Sequence, residues 1–222
     1  MLNNRTEKWE KILLKAIAYL ESAQIPVNKW SFGGGTALMS YYHHRYSKDI
    51  DIFLTDVQYL TCLSPRLNDH VESDKDYAGA EEQSNYLKIK LKGDVFIDFI
   101  AAPYLTKEPI GKMKVGRYQI NIETPPEIIV KKIFYRAEQF KSRDIFDLAV
   151  VIDEDREKLI ANLDVFKGKL PILLERCQLI KDVYQPELKQ LITYRDQRFI
   201  DDSFGRVIDF IMKNGKTEEL IN

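Results

Sequence analysis

Sulfur and imidazole are scarce in this chain of 222 residues, which holds two cysteines and three histidines. Cys62 and Cys177 are widely separated and have no CxxC partner, so they read as reduced, packed thiols of a cytosolic protein. His43 and His44 are adjacent and cannot share one helix face, and His70 lies in a polar stretch. No further His or Cys has ligand spacing, so no zinc site is expected. Ser47 has no histidine base at a persuasive spacing, which removes a hydrolase triad. An excess of one charge is also missing. Lys and Arg total 33 against 34 Asp and Glu, so the chain as a whole has no electrostatic grip on nucleic acid. Charges interrupt every apolar segment well short of the roughly 20 residues a membrane span needs. The first eight residues carry no apolar stretch after their charges, so no secretory signal and a cytoplasmic location are expected. Neither a repeat nor a low-complexity segment occurs. What is present is 45% apolar and 30% charged, the balance of a soluble globular protein with enough chain for a sizeable core.

Apolar spacing predicts a helix over 6–23 with Thr6 as its N-cap, ending before Ile25-Pro26. Trp30-Ser31-Phe32 is a short strand, and Gly33-Gly34-Gly35 joins it to a helix starting near Thr36. Asp49 to Leu54 reads as a strand, a helix is expected near 57–69, and 70–84 is polar and acidic, a mobile loop by its composition. Tyr86–Leu91 and Val95–Ala101 alternate around Lys92-Gly93-Asp94 and form a hairpin. A weaker hairpin covers 112–122. Thr124-Pro125-Pro126-Glu127 then starts a helix, with Thr124 as N-cap. Helical periodicity follows over about 126–140, 143–153, 169–181, 186–194 and 202–214. The expected architecture is therefore α+β: an α/β core over 1–123 and a helical C-terminal domain over 124–222.

The chemistry sits in three places. Asp49 and Asp51 are two apart on a strand and share one face, while Ile50 and Ile52 point to the core. Carboxylates held side by side repel unless a cation lies between them, and Mg²⁺ with its oxygen ligands suits that need. Asp98 shares a strand face with Phe96 and Ile100, where an unpaired charge is costly and calls for a cation or several donors. If its strand lies beside that of Asp49 and Asp51, the three carboxylates could hold two metals and clamp an in-line phosphoryl displacement. The glycines open a turn into a helix N-terminus, where backbone N–H groups and the helix dipole favour phosphate. No Gly-Lys-Ser/Thr follows them, so this is no Walker A loop. Further on, Ile129, Ile133, Ala137 and Phe140 make an apolar stripe, and Lys132, Arg136 and Gln139 make an adjacent one. Between Lys107 and Asp144 there are nine Lys/Arg against five Asp/Glu, a local basic surplus suited to phosphate. Asp144 fits a helix N-terminal charge. Asp147 could pair with Lys132 or position a substrate.

Two stretches carry a family resemblance. Phe32-Gly33-Gly34-Gly35-Thr36-Ala37-Leu38, followed by His44-Arg45-Tyr46-Ser47-Lys48-Asp49-Ile50-Asp51-Ile52-Phe53, resembles the first motif of polymerase-β-like nucleotidyltransferases, and more narrowly of the AbiEii/AbiGii toxin family. Lys131-Lys132-Ile133-Phe134-Tyr135-Arg136, then Ser142-Arg143-Asp144-Ile145-Phe146-Asp147-Leu148, is similar to that family's late motif. The resemblance implies a polymerase-β-like core that moves a nucleoside monophosphate from an NTP to an acceptor, with Mg²⁺, two ions by expectation. It assigns the triphosphate to Gly34, Gly35 and Thr36; Lys132 and Arg136 are expected phosphate contacts by their own placement on the helix stripe. It assigns metal to Asp49, Asp51 and Asp98, the last also a candidate base, and late catalytic roles to Lys132 and Asp147. It also implies the toxin of a toxin–antitoxin or abortive-infection pair, an RNA acceptor such as the tRNA 3′ end, and a cognate antitoxin. A small-molecule or protein acceptor, or a nucleotide-binding or partner-binding regulator without turnover, stays open at this point.

Overall fold

The computed structural model describes residues 3–215, with side chains from residue 8 onward. Two compact units divide the chain. The first comprises residues 1–40, 47–104 and 110–124, and the second residues 41–46, 105–109 and 125–222.

The first unit is built on a seven-stranded sheet. Its strands are β1 (Trp30–Gly33), β2 (Ile50–Leu54), β3 (Tyr77–Gln83), β4 (Tyr86–Leu91), β5 (Val95–Ala101), β6 (Ile110–Val115) and β7 (Tyr118–Glu123), in the spatial order β3-β4-β5-β2-β1-β7-β6. The β2–β5 and β1–β7 pairs are parallel and the other neighbours antiparallel. Period-two alternation buries Ile50, Ile52 and Leu54 of β2, Leu87, Ile89 and Leu91 of β4, and Ile97 and Phe99 of β5. Helix α1 (Asn3–Ser22) contributes buried Trp9, Leu13, Ala16, Ile17 and Leu20, with the Trp9 ring stacked 5.9 Å from that of Phe32. Helix α2 (Gly34–Tyr42) follows β1 directly, and α3 (Gln58–Leu63) and α4 (Asp69–Glu72) are short.

The second unit is helical. Its elements are α5 (Pro125–Arg136), α6 (Ser142–Glu154), α7 (Arg156–Ile160), α8 (Leu163–Phe166), α9 (Leu170–Leu188) and α10 (Gln197–Asn214). The central α6 buries the whole run from Asp144 to Ile152, so it is surrounded rather than amphipathic. Glu127 of α5, fully buried, accepts from the backbone N–H groups of Leu105 and Thr106 and from the Thr106 hydroxyl, which fastens the 105–109 segment within this unit.

Mixed sheet first and helices last is the expected α+β order. Several expectations are corrected. The stretch 70–84 contains most of α4 and the edge strand β3, and the helix expected over 57–69 shortens to α3, with α4 starting only at Asp69. Thr6 lies inside α1, not at its cap. The helix expected over 169–181 runs on to Leu188, through Pro186. That proline is exposed in the last turn, where water can take the hydrogen bond it removes. The expected helix over 186–194 gives way to a bridge. Residues 44–46 pair with 192–194 through Tyr46 N–H to the Ile192 carbonyl and Tyr194 N–H to the His44 carbonyl. Among the described residues, no helix is long and apolar enough to cross a membrane.

Candidate active site

Strand register assembles the acidic site. Asp51 of β2 lies directly opposite Asp98 of β5, Lys88 of β4 is opposite Asp98 on its other side, and Gly33 of β1 is opposite Asp51. Directly opposed residues share a face, so one row across four strands reads Lys88, Asp98, Asp51, Gly33. Asp49 precedes β2 by one residue, and its Oδ1 accepts from the Phe96 N–H at 3.2 Å, at the start of β5. Asp51 and Asp98 thus stand on two neighbouring strands with Asp49 just before the first, a pairing that sequence alone left open.

The glycines shape this row. Gly34 has φ +68°, and a Cβ built there would lie 1.9 Å from Asp51 Oδ2. Only glycine lets the Asp51 carboxylate settle against the start of α2. Gly33 does more than ease the turn, since its Cβ would meet Glu123 Oε2 at 2.5 Å and the Phe53 ring at 2.6 Å. Thr36 is fully buried. Its Oγ1 donates to the Asp49 carbonyl at 2.5 Å and lies 2.9 Å from Ser47 Oγ, so the side chain positions Asp49, and its backbone N–H is the group a phosphate could meet. A Gly34→Ala variant is expected to cost about 1–2 kcal/mol from left-handed backbone. It is also expected to displace Asp51 and so weaken nucleotide binding. Thermal melting and a nucleotide titration check both. Wild-type values in both would refute this account of Gly34.

Asp98 is 17% exposed, and burial lifts its carboxyl above the ordinary value. Lys88 and the Tyr86 hydroxyl pull the other way, while the Asp49 charge adds to the rise. Tyr86 donates to Oδ1 at 3.2 Å and the Lys88 ammonium is 3.5 Å from Oδ2. Among the described residues, no three His, Cys, Asp or Glu side chains form a group able to hold a metal by themselves. The donor set still fits a hard cation of the Mg²⁺ kind. Aligned carboxylates supply oxygen only, and such ions are held by one or two carboxylates completed by substrate phosphates and water.

Lys132, Arg136 and Asp147 lie in the second unit and form a different structure. Asp147 is fully buried. Arg45 grips it with Nε on Oδ1 at 2.6 Å and Nη2 on Oδ2 at 2.8 Å, His44 Nε2 is 2.9 Å from Oδ1, and Lys132 Nζ is 2.5 Å from Oδ2. Asp144, also fully buried, takes Lys132 at 2.9 Å and Arg136 at 2.7 Å, and accepts from the Lys141 N–H at the start of α6. Burial alone would raise the Asp147 carboxyl. Arg45 and Lys132, with hydrogen bonds from His44 and Arg45, hold it well below the usual carboxylate range. Asp144 is lowered too, Lys132 and Arg136 outweighing its burial. Burial pushes the His44 imidazole down by more than Asp147 raises it, so the ring is neutral and Nε2–H donates.

Sequence reasoning missed four residues. Lys88 and Tyr86 were visible only as the polar face of an alternating strand, with nothing to tie them to Asp98. His44 and Arg45 stood inside the first motif without a role, because their partner Asp147 is about a hundred residues away.

Aligned aspartates beside a glycine-opened helix N-terminus, with oxygen donors on the same sheet face, are the equipment of phosphoryl transfer from a nucleotide. The fold is similar to the crystal structure of JHP933 from Helicobacter pylori, with TM-score 0.53 and 14% identity over 90% of this chain and 89% of that one. A weaker likeness, TM-score 0.43 and 13% identity over 81% and 93% of the two chains, is to an antigenic nucleotidyltransferase-like protein from Paracoccidioides brasiliensis. No curated protein matches the sequence. The family described as nucleotidyl transferase AbiEii toxin, type IV TA system, matches residues 19–205, and the chain belongs to that family. It is a nucleotidyltransferase.

Proposed function

We propose that the protein transfers a nucleoside monophosphate from an NTP to an RNA acceptor, the tRNA 3′ end being the leading candidate, and acts in the cytoplasm as the toxin of its pair. The observation that carries this reading is the register of Asp51 against Asp98 beside Gly34 at the α2 N-terminus. Asp49, Asp51 and Asp98 would hold the divalent cation, Mg²⁺ and two ions by expectation. Bound there, it would supply charge neutralisation for the attacking and leaving oxygens. The N–H groups of Gly34, Gly35 and Thr36, with the α2 dipole, receive the phosphates. Asp98, its carboxyl lifted by burial, is suited to take a proton from an acceptor hydroxyl. Lys132 and Asp147 hold structure rather than substrate in this reading, because each is committed to buried partners. Arg136, with its side chain 37% exposed, keeps N–H groups for a phosphate. The basic surplus between Lys107 and Asp144 favours a polyanionic acceptor.

The test is label transfer. Each α-labelled NTP is incubated with the protein, Mg²⁺ and, in separate arms, total RNA, an aminoglycoside and a protein extract. Label is expected in RNA. Label confined to the small molecule or to protein would move the acceptor class, and no label in any arm would overturn the reading.

A further inference from the structure

Asp98 is occupied from one side. Tyr86 donates to Oδ1, Lys88 lies 3.5 Å from Oδ2, and both donors come from β4. Lys88 is not a loose surface lysine. Its side chain is 25% exposed, and its ammonium stands 4.8 Å from the Phe96 ring centroid and 5.7 Å from that of Tyr86. Register keeps it opposite Asp98.

We propose that Lys88 is the resident counter-ion of Asp98 and a positioning residue of the metal site, which keeps the free protein from taking up a divalent cation before the triphosphate arrives. The inference rests on the reading of Asp51 and Asp98 as metal-binding carboxylates. No covalent bond changes. A divalent cation and the Lys88 ammonium compete for the same carboxylate, and the triphosphate oxygens give the displaced ammonium a new anion to face. Lys88 thereby orders the site: nucleotide and metal enter together.

The probe is Mn²⁺, whose binding to the full-length nucleotide-free protein is read from the electron paramagnetic resonance signal of the free ion. Wild type is expected to bind weakly. Lys88→Met is expected to bind about tenfold more tightly, as removal of one adjacent positive charge allows. Lys88→Arg, which keeps the charge, is expected to stay at the wild-type value, a rescue that a purely structural lysine would not give. Lys88→Gln repeats the measurement should the Met variant melt early. In the double variant with Asp51→Asn the gain is expected to vanish. If neither Met nor Gln tightens binding, the counter-ion role is overturned, while nucleotidyl transfer, assayed by label, still stands. If the gain survives in the double variant, the ion sits elsewhere, and both the inference and the carboxylate reading fall.

Discussion

Asp51→Asn is expected to lower nucleotidyl transfer by about 10³-fold or more, the several kcal/mol a metal-bound carboxylate supplies at a phosphoryl centre. Asparagine keeps the shape that packs against Gly34 but loses the charge. The substitution also removes one carboxylate from beside Asp98, whose carboxyl the nearby Asp49 charge already raises. The folded protein should therefore lose little: a melting temperature within about 2 °C of wild type, under 1 kcal/mol for a chain of this size. Activity is measured by label incorporation and stability by thermal denaturation. Near-normal turnover in a well-folded Asp51→Asn protein would show that the Asp51–Asp98 row is not the reacting centre.

That row also marks the limit of sequence reading. Alternation put Asp98 on a face with Phe96 and Ile100, and spacing put Asp49 and Asp51 together, because both are local consequences of the strand pleat. The parallel pairing of β2 with β5 is not local, and no pattern within either strand announces its neighbour. Strand β3 was hidden for a different reason. Its residues, Tyr77 to Gln83, include Gly79 at a register shift, and as an edge strand it needs no buried alternating face. The helical unit was legible in outline, since Ile129, Ile133, Ala137 and Phe140 are all buried as their stripe requires. Helices α7 and α8, at five and four residues, are too short to show a period. The late motif was legible in part, since Asp147 was offered as a partner for Lys132 and the two are paired. Lys132 next to an apolar stripe looks like a solvated or substrate-facing residue. It is buried because Asp144 and Asp147 arrive from the next helix to neutralise it, which no helical wheel contains.

The late-motif network leads to the second large effect. Asp147→Ala is expected to destabilise the protein by about 3–5 kcal/mol, because it leaves Arg45 and Lys132 buried beside the lost charge. Label transfer should fall only in proportion to the folded fraction, if Asp147 acts through structure. A variant that melts normally yet is inactive would instead place Asp147 at the substrate. The same network fixes the response to acid. Asp144 and Asp147 have folded-state values below those of the unfolded chain, so their contribution is full above about pH 4 and is lost as pH falls further toward the folded values. His44 is also lowered, so the unfolded chain takes up its proton first, and this loss begins below about pH 6.5. Urea unfolding at pH 7, 5.5, 4 and 2.5 should therefore show a decline in two stages, the first between pH 7 and about 5 and the second below about pH 4. His44→Gln should flatten the first stage and leave the second, since glutamine keeps an N–H for Asp147 but cannot take a proton. An unchanged first stage in that variant would mean that His44 is not its source, and an Asp147→Ala protein within about 1 kcal/mol of wild type would mean that the buried charges are satisfied by other means.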